Sequence, residues 1–114
     1  MSNVAGRFYF KLTPNGNLLG EYSNNRTLSP SAESAERALD LGGQVEEGAT
    51  PFVGLFRSVW QEDGGAAHTA VLRIASKVGH VGIFAVDWTS PERTLFRGEA
   101  MLCDDVLIGN YWSV

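Results

Sequence analysis

Several features that commonly announce a function are scarce in this chain. One cysteine, Cys103, among 114 residues leaves no partner for an intrachain disulfide. The histidines are only two, His68 and His80, and no His/Cys pair has the spacing of a zinc site. No metal and no cofactor is therefore expected. Nucleophile elbows, phosphate loops and dinucleotide fingerprints are all missing, and Gly42-Gly43 sits where a helix would end, the wrong dipole end for a phosphate. No window approaches the ~20 apolar residues of a membrane helix. Residues 1–6 lack the positive, hydrophobic build of a leader. A cytoplasmic protein without a membrane partner is the expectation. Lysine and arginine number 9 against 13 acidic residues, a formal charge of −4, which offers nucleic acid no general attraction.

Apolar residues make up 44% of the chain and charged residues 19%, a composition that folds. A chain of this length forms one domain, residues 1–114, and buries roughly two thirds of the surface its unfolded form exposes. Thirteen glycines against four prolines point to turns and bent strands rather than a linker.

The dominant pattern is alternation, the signature of strands with two distinct faces. Phe8, Phe10 and Leu12 alternate with Arg7, Tyr9 and Lys11, and Pro14-Asn15-Gly16-Asn17 is a hairpin turn leading into residues 18–23. Further strands are predicted over residues 52–62, 68–77, 80–88, 93–102 and 106–112. The turn at Asp104-Asp105 joins the last two, and the end of the chain is expected to be paired inside a sheet. Between the second and third of these strands, Ser29 and Pro30 resemble a helix start. Ala32, Ala35 and Leu39 share one helical face, and Gly42-Gly43 supplies a stop. The stretch 44–51 reads as an exposed acidic loop. The fold class is thus mainly β. It is a single antiparallel meander of about seven strands, strongly curved or closed into a barrel, with one short helix between strands 2 and 3.

Five glycines stand two residues before an aromatic ring: Gly6 and Phe8, Gly20 and Tyr22, Gly54 and Phe56, Gly82 and Phe84, Gly109 and Tyr111. Each pair falls on one sheet face, where the glycine lets the sheet bend and the ring covers bare backbone. Residues 8–22, with Leu12-Thr13-Pro14-Asn15-Gly16-Asn17-Leu18-Leu19-Gly20-Glu21-Tyr22 at their centre, resemble the early hairpin of avidin and other calycin-type barrels. The resemblance implies a barrel and carries over no binding residue.

Charges inside strands are the candidates for chemistry: Glu21, Arg57, Arg73, Asp87, Arg97 and Glu99. Most charged side chains belong on a solvated outer face. Were some to converge in a cavity, a guanidinium would grip a carboxylate or phosphate with two prongs. The candidate ligand-binding set is Arg57, Arg73 and Arg97, with Trp60 and Trp88 as stacking walls. Strands apolar on both faces, 53–59 and 106–112, call for cover from a second copy, as a dimer or tetramer. The function expected is a self-associating, small-molecule-binding barrel, with an organic anion as one ligand class. Two alternatives belong to other classes. One is an interaction or inhibitor module using an open sheet face. The other is a small cyclase or isomerase working through Asp87 or Glu99, whose mark would be a carboxylate raised in pKa by burial.

Overall fold

The computed structural model describes residues 3–27, 29–45, 49–62 and 65–114. Eight strands follow in order: β1 (Ala5–Leu12), β2 (Leu18–Asn24), β3 (Ser31–Arg37), β4 (Gly54–Gln61), β5 (Ala67–Ser76), β6 (Ile83–Thr89), β7 (Thr94–Cys103) and β8 (Val106–Ser113). Each pairs antiparallel with its neighbours in sequence, and β8 returns to β1, so the meander closes into a barrel with no free edge. Closure is carried by the register Phe8↔Gly109 and Phe10↔Leu107. The last strand is accordingly held between β1 and β7.

The sequence pattern placed a helix over residues 30–41, and the structure replaces it with β3 and a lone 3-10 turn, Leu39–Leu41. The reason lies in the neighbours. β2 and β4 each have an open edge that only a strand between them can satisfy, and β3 bonds both, with Leu18↔Ala35 on one side and Ala35↔Ser58 on the other. Residues 32–36 also alternate, with Glu33 and Ala35 buried while Ala32, Ser34 and Glu36 are exposed. Short alanine side chains fit both periods, so local helix preference yields to the two ladders that β3 fills.

The hairpin turn at Gly16 (φ 81°) and the β7–β8 turn at Asp104 (φ 53°) adopt the left-handed backbone that such turns require. Residues 46–48 of the expected acidic loop, and residues 63–64 of the β4–β5 turn, lie outside the described residues. His68, on β5, and His80, in the β5–β6 connection, are both exposed, as is Cys103 at the end of β7. No helix among the described residues is long and apolar enough to cross a membrane.

The rings of the five glycine–aromatic pairs all point inward: Phe8, Tyr22, Phe56, Phe84 and Tyr111 are buried. The glycines matter sterically where strands crowd. A Cβ on Gly20 would overlap the Tyr9 carbonyl oxygen and meet the Phe10 ring.

One end of the barrel is solid. Phe10, Leu18, Phe56, Leu72, Ile74, Val86 and Leu107 fill it, and Phe52 from the β3–β4 connection joins the same cluster. Arg37 ties this end shut. Its guanidinium donates to the carbonyls of Gly16, Gly43, Val53 and Pro51 and lies 4.6 Å from the Phe56 ring centre. Loops that would otherwise leave carbonyls unpaired against an apolar core are thereby satisfied.

Candidate functional site

The opposite end is hollow. A cavity of about 240 Å³ opens beside the β2–β3 and β4–β5 connections, between walls formed by Phe8, Tyr22, Trp60, Trp88, Phe96 and Tyr111. An eight-stranded barrel is just wide enough for side chains to fill it or for one small ligand, and here large rings stand around a space instead of closing it. The rings brace one another edge to face. Phe8 and Trp88 lie 5.2 Å apart, Phe96 and Tyr111 5.6 Å, and Trp88 and Phe96 6.4 Å. Such contacts hold the wall in place.

At the bottom sits Glu33, only 5% exposed. β3 aims it inward, next to Trp60 on β4 and Gly20 on β2. Ser58 Oγ donates to Glu33 Oε2 at 2.5 Å and Trp88 Nε1 donates to the same oxygen at 2.8 Å. Oε1 accepts from no donor among the described residues. Among the same residues no fully buried side-chain oxygen or nitrogen lacks a partner, so Oε1 opens onto the cavity that Glu33 lines. Burial pushes the Glu33 carboxyl up to about 7, against the pull of the Ser58 and Trp88 hydrogen bonds, which favour the charged form.

Around the mouth the polar groups are tethered to the frame. Tyr22 Oη donates to the Gln61 carbonyl at 2.6 Å, and Asn24 Nδ2 donates to Tyr111 Oη at 2.8 Å. Burial raises the Tyr111 hydroxyl to about 12, so it stays protonated in the cavity at neutral pH. Trp60 Nε1 donates to Glu62 Oε1 at 3.3 Å while its ring stacks on His68 at 5.9 Å. Glu62, Arg26 and Thr27 complete the rim.

Of the residues singled out from sequence, Trp60 and Trp88 come together in this cavity. Arg57, Arg73 and Arg97 do not; all three are exposed on the outer face of the barrel. The inward series on β4 is Phe56, Ser58 and Trp60, and Arg57 falls between them, bonded by both nitrogens to Asp40 at 2.6 and 2.7 Å. That pairing raises the Arg57 pKa and lowers that of Asp40. Register sets Arg73 opposite Asp87, and Asp87 opposite Arg97, a row of alternating charge on the outside. Glu99 is likewise outside, bonded by Lys77 at 2.5 Å, which holds its carboxyl below the usual range.

The carboxylate with the mark of a buried acid is therefore Glu33, not Asp87 or Glu99. Sequence reasoning passed over it because a helix over residues 30–41 leaves Glu33 on a solvated face. The signal that would have found it is the alternation Glu33, Ala35 against Ala32, Ser34, Glu36. Among the described residues no group of three or more His, Cys, Asp or Glu side chains is placed to hold a metal ion.

Comparison with known families, curated proteins and solved structures finds no match to this chain.

Proposed function

We propose that the barrel is a binding compartment for one small, largely planar organic molecule. The observation that carries this reading is a half-open, aromatic-walled cavity that ends on a buried carboxylate with one oxygen turned into it. An apolar pocket with a few convergent polar groups is the usual form of a ligand site. Size narrows the ligand. An engineered cavity of about 150 Å³ takes benzene, so about 240 Å³ suits a benzene-sized ring with a short polar substituent. Trp60 and Trp88 remain the stacking walls. The outward arginines do not line this cavity, so the polar contact falls to Glu33 rather than to a guanidinium.

A thermal-shift screen of small aromatic compounds tests the reading. A ligand present at 100 times its Kd stabilises by about 2.7 kcal/mol, which moves the melting temperature on the order of 10 °C for a domain of this size. A library that leaves the melting temperature unmoved throughout counts against the compartment. A second reading, proton-transfer catalysis by Glu33, is favoured by the same carboxyl titrating near neutrality. It would show as turnover of a bound compound, lost in Glu33→Gln while binding persists.

We propose in addition that the barrel self-associates through its outer face. Met101, opposite Ile108, which stands opposite Tyr9, forms an outward row over three strands, with Met101 53% and Ile108 47% exposed. Leu19, Val59 and Trp112 are also exposed outside. A two-fold contact would cover such a row in both copies at once. Light scattering that returned the 12.4 kDa monomer mass at all micromolar concentrations would refute this. The same face docking another protein would give that monomer mass as well, with a complex forming only on addition of the partner.

A further inference from the structure

The compartment reading leaves open which polar group its ligand carries, and charge inside the barrel decides it. Glu33 is the only charged residue type buried among the described residues. Buried carboxylates are ordinarily matched by a cation, because an unmatched charge in a low-dielectric interior is costly. Among the described residues the side-chain partners of Glu33 are the neutral Ser58 and Trp88, and the one cation lining the same cavity, Arg26, stands at the exposed rim. Of the chain's nine lysines and arginines, Arg37 alone is not exposed, and its guanidinium is engaged with carbonyls at the closed end. Three ion pairs between described residues, Arg57 with Asp40, His68 with Glu62 and Lys77 with Glu99, join exposed side chains outside the barrel interior.

Two fixed donors, Ser58 and Trp88, occupy Oε2 and so prepare Glu33 to be an acceptor; the open oxygen faces a space walled by aromatic faces. Those faces carry negative π density and attract a cation, above all where water is excluded. The charged residues lining the cavity are Glu33 at the bottom and Glu62 and Arg26 at the rim, so a carboxylate ligand reaching the bottom would meet repulsion from Glu33. Resting on the compartment reading, we infer that the cavity selects a small protonated amine on an aromatic body. Its N–H groups dock on Glu33 Oε1 and its ring lies against Trp60 and Trp88.

The ligand thus supplies a cation at the cavity floor, where Glu33 is hydrogen-bonded only to the neutral Ser58 and Trp88. Binding ionises Glu33 fully, so complex formation below neutrality releases a proton to buffer.

Three probes of one shape separate the possibilities: 2-phenylethylamine, 2-phenylethanol and 3-phenylpropionate, titrated calorimetrically at pH 7.5. The amine is expected to bind about tenfold or more tighter than the alcohol, as a charge-assisted hydrogen bond gives, and the carboxylate not at all. Glu33→Gln should retain the alcohol and abolish the preference for the amine. A variant-independent readout guards against misfolding: the Glu33 carboxyl-carbon resonance should shift to a lower titration midpoint with amine bound and stay put with alcohol. Equal affinity for amine and alcohol, or an unchanged midpoint, overturns the amine assignment and leaves the compartment standing. Absence of binding by all three at millimolar concentration overturns both.

Discussion

Replacing Glu33 by glutamine tests the energetic core of the site without reference to any ligand. The Glu33 carboxyl moves from 4.5 to about 7 on folding, chiefly because the barrel takes it out of water. A folded state with the higher pKa binds the proton more tightly than the unfolded chain. The stability tied to that proton is therefore complete below about pH 4.5, declines as pH rises, and is gone above about pH 7. A shift of this size is worth about 3 kcal/mol at 1.36 kcal/mol per unit. Glutamine keeps the shape and an oxygen to accept from Ser58 and Trp88, but never ionises. The variant should match the parent at pH 4.5 and exceed it by about 3 kcal/mol at pH 8.5, on the order of 10 °C in melting temperature. Urea unfolding of both proteins across that range measures it. Asp40 and Glu99, whose pKa values are lowered, act in the other sense, losing stability as pH falls below about 4, and they cancel in the difference between the two proteins. Parallel stability curves for parent and variant between pH 4.5 and 8.5 would show that Glu33 is not buried as an acid, and the account of the cavity floor would go with it.

Trp88→Phe removes one of the two donors to Glu33 Oε2. It should lift the carboxyl midpoint above about 7, read from its carbon resonance, and cost about 1–3 kcal/mol at pH 8. Arg37→Met strands the carbonyls of Gly16, Gly43, Val53 and Pro51, so urea unfolding should report a loss of about 2–5 kcal/mol. Arg57→Met, by contrast, breaks only an exposed ion pair and should leave the midpoint nearly unchanged; equal losses in the two variants would contradict the closed-end role of Arg37. Gly20→Ala drives a methyl into the Tyr9 carbonyl, and a loss of at least about 2 kcal/mol is expected in thermal melts, with a neutral result refuting the close β1–β2 approach.

Much of the architecture was legible before the structure because strands announce themselves by period. Phe8 and Phe10 against Arg7 and Tyr9, or Phe56, Ser58 and Trp60 against Arg57 and Val59, need no tertiary information to be sorted onto two faces. The glycine–aromatic pairs likewise implied a bent sheet, and their rings prove to be interior. Residues 31–37 were not legible in the same way. Alanine, glutamate and serine at those positions satisfy the helical and the strand period alike, and the choice is made by the open edges of β2 and β4.

The candidate site follows the same division. Composition and alternation pointed to an antiparallel meander and singled out Trp60 and Trp88. Which face is the inside was settled only by closure, since strand period distinguishes two sides of a sheet and cannot say which one the barrel encloses. That choice sent Arg57, Arg73 and Arg97 outward and Glu33 inward. The raised pKa of Glu33 was beyond any reading of local sequence, because it arises from desolvation by rings contributed by strands distant along the chain. Sequence fixes what each residue is able to be; the packing of eight strands fixed what surrounds it.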